Sequence, residues 1–231
     1  MYVRPDSPAM AAVRQLIGSR SLDFSFLSQG GGHAVLSLPA TYEELLKSFR
    51  STTRHNFRYY RRRFEKAGHV YLDNLSIDEA RLAARHLQPK CARSGGPIDD
   101  FLTMAITSSR PLAVGLKHRN GEWLGVICGT YGPGIAVLYL QLNNDRDFAC
   151  DSLSVVLRAY LIESLIRQGV QQFVIWGGTA PPLSRYATHV HTIGISIDSP
   201  DRAWRLARAL KSATDCWLPS RLKRIIMATS D

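Results

Sequence analysis

Short apolar runs separated by turn residues occupy the middle of the chain. Residues 112–117, 123–130 and 135–142 are apolar and partly β-branched, as the strands of a packed sheet usually are. Asn120 and Gly121 lie between the first two runs, and Asn-Gly is a strong signal for a tight hairpin turn. A second turn, rich in glycine and proline, separates the second run from the third. The pattern therefore predicts a three-stranded antiparallel meander.

Helices and further short strands surround this meander. We expect strands at residues 22–27, 33–38, 70–72, 173–176 and 191–197, and helices at residues 10–17, 76–87, 98–107, 152–168, 183–188 and 200–213. Because a helix joins the third meander strand to strand 173–176, that strand would return parallel beside the meander. The predicted fold class is α+β, with a mixed sheet of an antiparallel meander and a parallel crossover strand, flanked by helices.

The longest helical pattern precedes the meander. Thr41 as N-cap and Glu44 three residues later form a capping box, so we expect one helix over residues 41–67. Apolar side chains recur at three- and four-residue steps, at Leu46, Phe49, Thr53, Phe57, Tyr60 and Phe64. Arginines recur on a neighbouring stripe, at Arg50, Arg54, Arg58, Arg61 and Arg62. The helix therefore has a packing face and a row of guanidinium groups, which either binds an anion or is a solvated face.

Composition indicates one globular domain with a basic surface. The chain has 231 residues, of which 45% are hydrophobic, and 29 Lys and Arg residues against 19 Asp and Glu residues give a formal net charge of +10. We expect a single domain, with an N-terminal extension at residues 1–35, a core at 36–197 and a C-terminal helix with a basic tail at 198–231. The charge suits a nucleic acid, an acidic lipid surface or a phosphorylated ligand, although a solvated surface explains it equally.

The four cysteines do not indicate a metal site. Cys91, Cys128, Cys150 and Cys216 include no CxxC pair, and none lies beside a histidine in a zinc-binding spacing. We expect neither a signal peptide nor a transmembrane segment, since no apolar run reaches about 18 residues. The sequence thus predicts a reduced, cytoplasmic protein without a metal, with a membrane-peripheral location as the alternative.

Residues 151–154 begin the helix that follows the meander. The first-turn amides of a helix are unpaired donors at the positive end of its dipole, so they can hold a phosphate or a pyrophosphate. Asp151 or Ser152 could equally be an ordinary N-cap. The sequence leaves open which of the two this turn is.

Three segments of the chain resemble a known enzyme family. Residues 36–70 show a strand ending in Leu-Pro, a helix with Arg-x-Asn and a run of arginines, and then Ala-Gly. Residues 121–130 add a strand, and residues 169–186 add a strand, a glycine turn and a short helix. Their order resembles the core of the GNAT acyltransferase superfamily and, more specifically, the CelD-like acetyltransferases associated with bacterial polysaccharide biosynthesis. The resemblance extends over residues 36–197.

The resemblance implies where acetyl-CoA or a longer acyl-CoA would lie as co-substrate. Pantetheine would lie between the third meander strand and the next parallel strand, paired with the main chain at Leu138, Leu140 and Leu142. The pyrophosphate would lie at the helix start formed by Cys150, Asp151, Ser152, Leu153 and Ser154. The family usually has a glycine-rich turn there, whereas the sequence DFACDSLSVV contains no glycine.

The resemblance also implies catalytic and acceptor-binding residues. In many GNAT enzymes a tyrosine on the short helix after the parallel strand protonates the leaving thiolate, and Tyr186 occupies that place. Asp145, at the end of the third meander strand, is the candidate base, with His189 and Glu122 as alternatives. The candidate acceptor-binding residues are Arg54, Arg58 and Trp176.

Three functions are compatible with the sequence. The first is an N-acyltransferase that moves an acyl group from acyl-CoA to a small amine, such as an amino sugar or an amino acid. The second is a FemAB-like transferase that takes its acyl group from aminoacyl-tRNA. Those enzymes have two GNAT-like halves, so a homodimer could replace the missing half. The third is a degenerate GNAT domain that binds an anionic lipid or a nucleic acid, for example at the basic helix 50–62, without catalysis.

Overall fold

Two sheets and their helices are described by the computed structural model of the chain, which covers residues 2–3, 11, 23–27, 32–90, 98–179, 182–191 and 193–198. The strands are β1 (Tyr2–Val3), β2 (Asp23–Leu27), β3 (Gly32–Ser37), β4 (Val70–Leu72), β5 (Pro111–Lys117), β6 (Trp123–Gly132), β7 (Ile135–Asn143), β8 (Gln172–Ile175), β9 (Thr188–His191) and β10 (Ile193–Asp198). The α-helices are α1 (Tyr42–Ser48), α2 (Ser51–Lys66), α3 (Ile77–Leu87), α4 (Ile98–Ile106) and α5 (Leu153–Arg167). Single turns of 3₁₀ helix lie at Gln88–Lys90, Ala149–Asp151 and Leu183–Arg185.

The larger of two compact units, residues 31–190, is built on a mixed sheet in the order β4-β5-β6-β7-β8-β3-β9. Neighbours from β4 to β7 are antiparallel, β8 is parallel to β7, and β3 is antiparallel to β8. Helix α5 connects β7 to β8, as the crossover between two parallel neighbours requires. The predicted α+β fold, a meander with one parallel crossover strand flanked by helices, is confirmed.

The smaller unit, residues 1–30 with 191–231, contains the antiparallel sheet β1-β10-β2. The predicted strand 22–27 is β2, and the predicted strand 191–197 corresponds to β10, apart from His191, which ends β9. An alternating pattern indicates the apolar face but not the pairing partner, so the position of β10 between β1 and β2 was not visible. Ala11 is helical. The rest of the predicted helix 10–17, the predicted helix 200–213 and the basic tail lie outside the described residues.

Helices cover both faces of the larger sheet. On one face α1, α2 and α5 bury a cluster that includes Phe57 and Leu161. On the other face α3 and α4 bury a cluster that includes Leu87 and Leu102. Because both faces are covered, β5 and β6 are buried almost throughout, and they appear in the sequence as continuous apolar runs.

One residue in β7 has no partner on β6. Cys128 pairs with Leu140 and Gly129 pairs with Leu138, so Tyr139 is an extra residue that forms a β-bulge. Since successive strand residues point to opposite faces, an extra residue reverses the alternation. Leu138 accordingly packs in the cluster under α1, α2 and α5, whereas Leu140 packs in the cluster under α3 and α4.

The bulge also requires a glycine at the opposite position on β6. A Cβ atom on Gly129 would lie 1.9 Å from the carbonyl oxygen of Val137, a separation that real Cβ contacts essentially never show. The close approach of β6 and β7 therefore depends on the absence of a side chain at this position.

The predicted helix 41–67 is wrong as one element, because the chain is extended at Phe49 and Arg50 and forms two helices. Phe49 has φ −79° and ψ 146°, and Arg50 has φ −57° and ψ 153°. The Arg50 N–H donates to the hydroxyl of Tyr186 at 2.9 Å, and the Phe49 ring packs against the Tyr186 ring at 4.5 Å. These contacts join residues 136 positions apart, so no local pattern could predict the break.

Local sequence signals predicted the starts of two helices correctly. Thr41 and Glu44 form the predicted capping box of α1, and Ser76 and Glu79 form another capping box at the start of α3. The predicted helix 183–188 is only one 3₁₀ turn, Leu183–Arg185, because the chain enters β9 at Thr188.

Gly129→Ala should lower the free energy of unfolding by about 2 kcal/mol or more, because an added Cβ forces the main chains of β6 and β7 apart. Gly32→Ala is the matched control, since no atom lies within 4 Å of its Cβ position. Urea unfolding measures both variants. Equal stability of the two would contradict the role assigned to Gly129.

Candidate functional site

Strands β7 and β8 run side by side only briefly. Their register ends at Leu138 and Ile175, and one further bond joins the Trp176 N–H to the Leu138 carbonyl at 2.9 Å. Two glycines with positive φ, at 177 and 178, then turn the chain, while β7 continues to Asn143. Within the described chain, the main chain of residues 139–143 thus has no strand beside it on the β8 side. We call the space between residues 139–143 and the chain after Trp176 the strand gap.

The three leucines predicted to pair with a donor lie along this part of β7. Leu138, Leu140 and Leu142 are only 4%, 6% and 2% exposed, so their side chains belong to the core. A ligand in the strand gap could therefore contact these residues through their main chain alone, in the manner of an added strand.

Aromatic rings surround the point where β7 and β8 separate. The Trp176 ring stacks on His33 at 4.0 Å and meets the Tyr139 ring edge-on at 5.6 Å. His33 Nδ1 accepts the Gly177 N–H at 3.2 Å, and burial lowers the pKa of His33. Trp176, a predicted acceptor-binding residue, therefore borders the strand gap together with Tyr139 and His33, which the sequence did not suggest.

An arginine from α5 crosses the strand gap. Arg158 Nε donates to Gln141 Oε1 at 2.8 Å, and its Nη1 donates to Thr179 Oγ1 at 2.9 Å. Gln141 belongs to β7 and Thr179 follows β8, so one guanidinium connects the two diverging chains. Sequence reasoning missed all three residues. The available signal was a charged side chain within an otherwise apolar stretch of α5, because such a side chain needs polar partners.

The start of α5 has an unusual conformation. Ser152 has φ 48° and ψ 46°, which is left-handed, and its side chain makes no capping hydrogen bond. Asp151 is paired with Arg63 Nη2 at 2.8 Å, and its N–H donates to the carbonyl of Phe148. Ser152 is therefore not an ordinary N-cap. The Val155 N–H already donates to the Ser152 carbonyl at 2.8 Å, so the first-turn amides that could meet a ligand are those of Leu153 and Ser154.

Tyr186, the predicted acid, contacts the break between α1 and α2. Its hydroxyl accepts the Arg50 N–H at 2.9 Å and lies 3.4 Å from Thr53 Oγ1. Burial acts to raise the pKa of Tyr186, but these hydrogen bonds and the charges of Arg50 and Arg185 lower it. The hydroxyl thus has a structural contact whether or not it takes part in a reaction.

Asp145, the predicted base, lies in the turn that follows β7. The buried Asn144 organises this turn, because its Nδ2 donates to Asp147 at 3.0 Å and its Oδ1 accepts the Asp147 N–H at 3.2 Å. The turn leads to the 3₁₀ helix before α5. Asp145 therefore lies on the connection between the open end of β7 and the start of α5, and its role as a base stays a prediction.

The arginines of α2 differ in the partners that they have. Arg61 is a structural residue, since it pairs with Glu163 at 2.6 Å and lies 4.3 Å above the Tyr160 ring. Arg58, a predicted acceptor-binding residue, pairs with Glu43 at 2.6 Å on the surface. Arg54, the other one, forms no ion pair with any residue that the structure describes.

Among the described residues, no group of three or more His, Cys, Asp or Glu side chains could hold a metal ion. None of the described helices is both long and apolar enough to cross a membrane. Of the cysteines, Cys128 is buried and Cys150 is exposed, and both are free thiols.

No protein-family model matches the sequence, and no curated protein matches it. Solved structures do match. FemX aligns with a TM-score of 0.57 at 11% identity, over 84% of this chain and 69% of FemX. A GCN5-related N-acetyltransferase from Kribbella flavida aligns with a TM-score of 0.47 at 11% identity, over 87% of this chain and 68% of that one. L-PGS from Bacillus licheniformis aligns with a TM-score of 0.41 at 18% identity over 71% of this chain, which spans about half, 49%, of its length.

The chain shares its fold with FemX, over 84% of its length. At identities this low, the likeness extends to the fold and not to the substrates of the matched proteins. The superfamily resemblance stays a prediction, and the finer resemblance to the CelD-like acetyltransferases is not confirmed by any match.

Ser152→Gly should stabilise the protein by about 1 kcal/mol. The left-handed conformation costs a residue with a Cβ about 1–2 kcal/mol, and glycine avoids this cost. Glycine also raises the conformational entropy of the unfolded chain, which offsets part of the stabilisation. Ser154→Gly is the control, because it places glycine inside α5 and should destabilise by about 0.5 kcal/mol. Urea unfolding of both variants checks the signs. A destabilised Ser152→Gly variant would disprove the left-handed conformation.

Proposed function

We propose that the chain is an acyltransferase that moves an acyl group from an acyl-CoA thioester to the amine of a small acceptor, such as an amino sugar or an amino acid. The observation that carries this proposal is the open main-chain edge of β7 at residues 139–143, beyond the last parallel pair at Leu138. Pantetheine is an extended chain with two amide groups, so it can pair with such an edge as an added strand.

The start of α5 is the proposed pyrophosphate site. Ser152 makes the left-handed turn for which GNAT enzymes use glycine, and the amides of Leu153 and Ser154 can then donate to phosphate oxygens. The carboxylate of Asp151 would repel an anion at the start of α5. Its ion pair with Arg63 at 2.8 Å compensates the negative charge, so the turn can still hold a pyrophosphate.

The proposed reaction is direct attack of the acceptor amine on the thioester carbonyl. A new C–N bond gives a tetrahedral intermediate, and the C–S bond then breaks with release of the CoA thiolate. Asp145 would take the proton that the amine loses, and Tyr186 would give the proton that the thiolate gains. The lowered pKa of Tyr186 suits this step. Burial acts to raise this pKa, and the hydrogen bonds with Thr53 and the Arg50 amide, together with the charges of Arg50 and Arg185, lower it.

Arg158 is proposed to hold the donor in the strand gap. Its guanidinium bridges Gln141 and Thr179 across the space that pantetheine would occupy. A donor there would replace one of these partners and offer its own carbonyl oxygens, which are suitable acceptors for a guanidinium. The bridge would thus open when the donor binds.

A second candidate donor is aminoacyl-tRNA, and the basic face of α2 favours it. Arg54, Arg58, Arg62 and Lys66 line one groove of about 630 Å³. Their four-residue steps place them about 6 Å apart along the helix axis. Within the described chain only Arg58 of these four has an ion pair. A row of cations of this kind attracts a nucleic-acid backbone.

Calorimetric titration of the whole chain with acetyl-CoA, a longer acyl-CoA, free CoA and uncharged tRNA distinguishes the two donors. Ser154→Glu should weaken acyl-CoA binding about tenfold or more, because its carboxylate lies at the first-turn amides and repels the pyrophosphate. An acidic residue in the first turn stabilises a helix, so this variant should fold normally. Ser154→Gln is the matched control, with a similar size and no charge, and should bind acyl-CoA almost as the unsubstituted chain does.

Saturable acyl-CoA binding that Ser154→Glu weakens and Ser154→Gln preserves would support the proposal. Salt-dependent tRNA binding without any CoA binding would favour the second donor. Binding of neither would contradict both.

A further inference from the structure

A cavity of about 310 Å³ lies beside the start of α5 and shares Asp151 and Leu153 with the proposed pyrophosphate site. It is enclosed by the C-terminal half of α2, the residue before β4, the turn between β5 and β6, and the start of α5. Its polar walls are formed by Arg63, His69, His118, Arg119 and Asp151. Volumes of about 300 Å³ and more are typical of cavities that hold small ligands.

Both histidines are held in a tautomer that can donate to a ligand. His69 Nδ1 accepts the Arg119 N–H at 3.3 Å, and His118 Nδ1 accepts the Asn120 N–H at 3.3 Å. A ring nitrogen that accepts a hydrogen bond carries no proton, so the proton of each neutral ring is on Nε2. Both rings line the cavity, with centroids 4.5 Å apart, and each therefore carries one N–H donor.

The charges around the cavity favour an anion. Burial, followed by the neighbouring His118, lowers the pKa of His69, with Asp151 acting to raise it and Arg119 acting to lower it further. His69 is thus neutral at pH 7 when the cavity is empty. Two guanidinium groups, from Arg63 and Arg119, then face one carboxylate, Asp151, which pairs with Arg63 at 2.8 Å.

We propose that this cavity binds a phosphate monoester. A phosphate has three terminal oxygens and can accept from guanidinium groups and imidazole N–H groups at the same time. Its two negative charges match the two arginines, and a bound dianion would favour a proton on His69. The proposal needs neither an acyl-CoA donor nor the strand gap, so it stands or fails apart from the proposed acyltransferase activity.

Titration of the whole chain with inorganic phosphate at pH 7.5 tests the site. Arg119→Gln should weaken phosphate binding about tenfold or more, because it removes a charged donor from the cavity. Arg110→Gln is the matched control. It removes the same charge from an exposed arginine just before the opposite end of β5 and should change the affinity little.

Substitutions of Asp151 and His69 allow two further tests of the phosphate site. Asp151→Asn should tighten phosphate binding, because it removes the only carboxylate among the described lining residues and releases Arg63. Sulfate stays a dianion between pH 6 and pH 8, so its affinity should rise as the pH falls and His69 gains a proton. His69→Asn should reduce this pH dependence, while its Oδ1 can still accept the Arg119 amide.

Saturable phosphate binding that Arg119→Gln weakens, Arg110→Gln preserves and Asp151→Asn strengthens would support the site. No saturable binding, or equal losses in both arginine variants, would overturn it. Comparison of CoA with 3′-dephospho-CoA identifies the source of the phosphate. If Arg119→Gln weakens the binding of CoA but not of 3′-dephospho-CoA, the cavity holds the 3′-phosphate of CoA. If CoA and 3′-dephospho-CoA bind equally well, the cavity belongs to a separate phosphorylated compound.

Discussion

Tyr139 in β7 has no partner residue on β6, and the rest of the site depends on this irregularity. An extra residue bends a strand and reverses its alternation, so the side chains before and after it pack on opposite faces of the sheet. The parallel pairing with β8 ends at the preceding residue, Leu138, and the main chain of residues 139–143 becomes an open edge. The proposed donor needs that edge. Gly129 permits the arrangement, because any side chain there would collide with β7.

Helix α2 is held in place from both ends, which explains why its arginines do not act as one surface. The Tyr186 hydroxyl holds the Arg50 amide just before the helix. Further along, Arg61 pairs with Glu163 of α5, and Arg63 pairs with the carboxylate just before α5. These guanidinium groups connect two helices, and the arginines on the outer side of α2 are the ones that could meet a nucleic-acid backbone.

The sequence predicted those elements whose signals are local. The meander followed from an Asn-Gly turn, and α1 and α3 began at their capping boxes, because each signal lies within a few residues of the element that it defines. The bulge at Tyr139 and the break at Phe49 were missed, since each depends on a contact between distant parts of the chain. The resemblance to GNAT enzymes predicted a strand gap and a ligand-binding helix start, but not that Arg158 crosses the gap. Nor did it indicate that Ser152 would adopt the left-handed conformation in place of a glycine.

The proposed reaction requires an acyl-CoA donor along the open edge of β7. Amide hydrogen exchange with and without a non-hydrolysable acyl-CoA analogue can detect it, because main-chain pairing with a ligand protects the amides that take part. If the donor pairs with this edge, exchange slows at residues 139–143 and at the first turn of α5 and changes little in β5. If residues 139–143 exchange at the same rate with saturating analogue while other residues are protected, the donor does not lie along this edge.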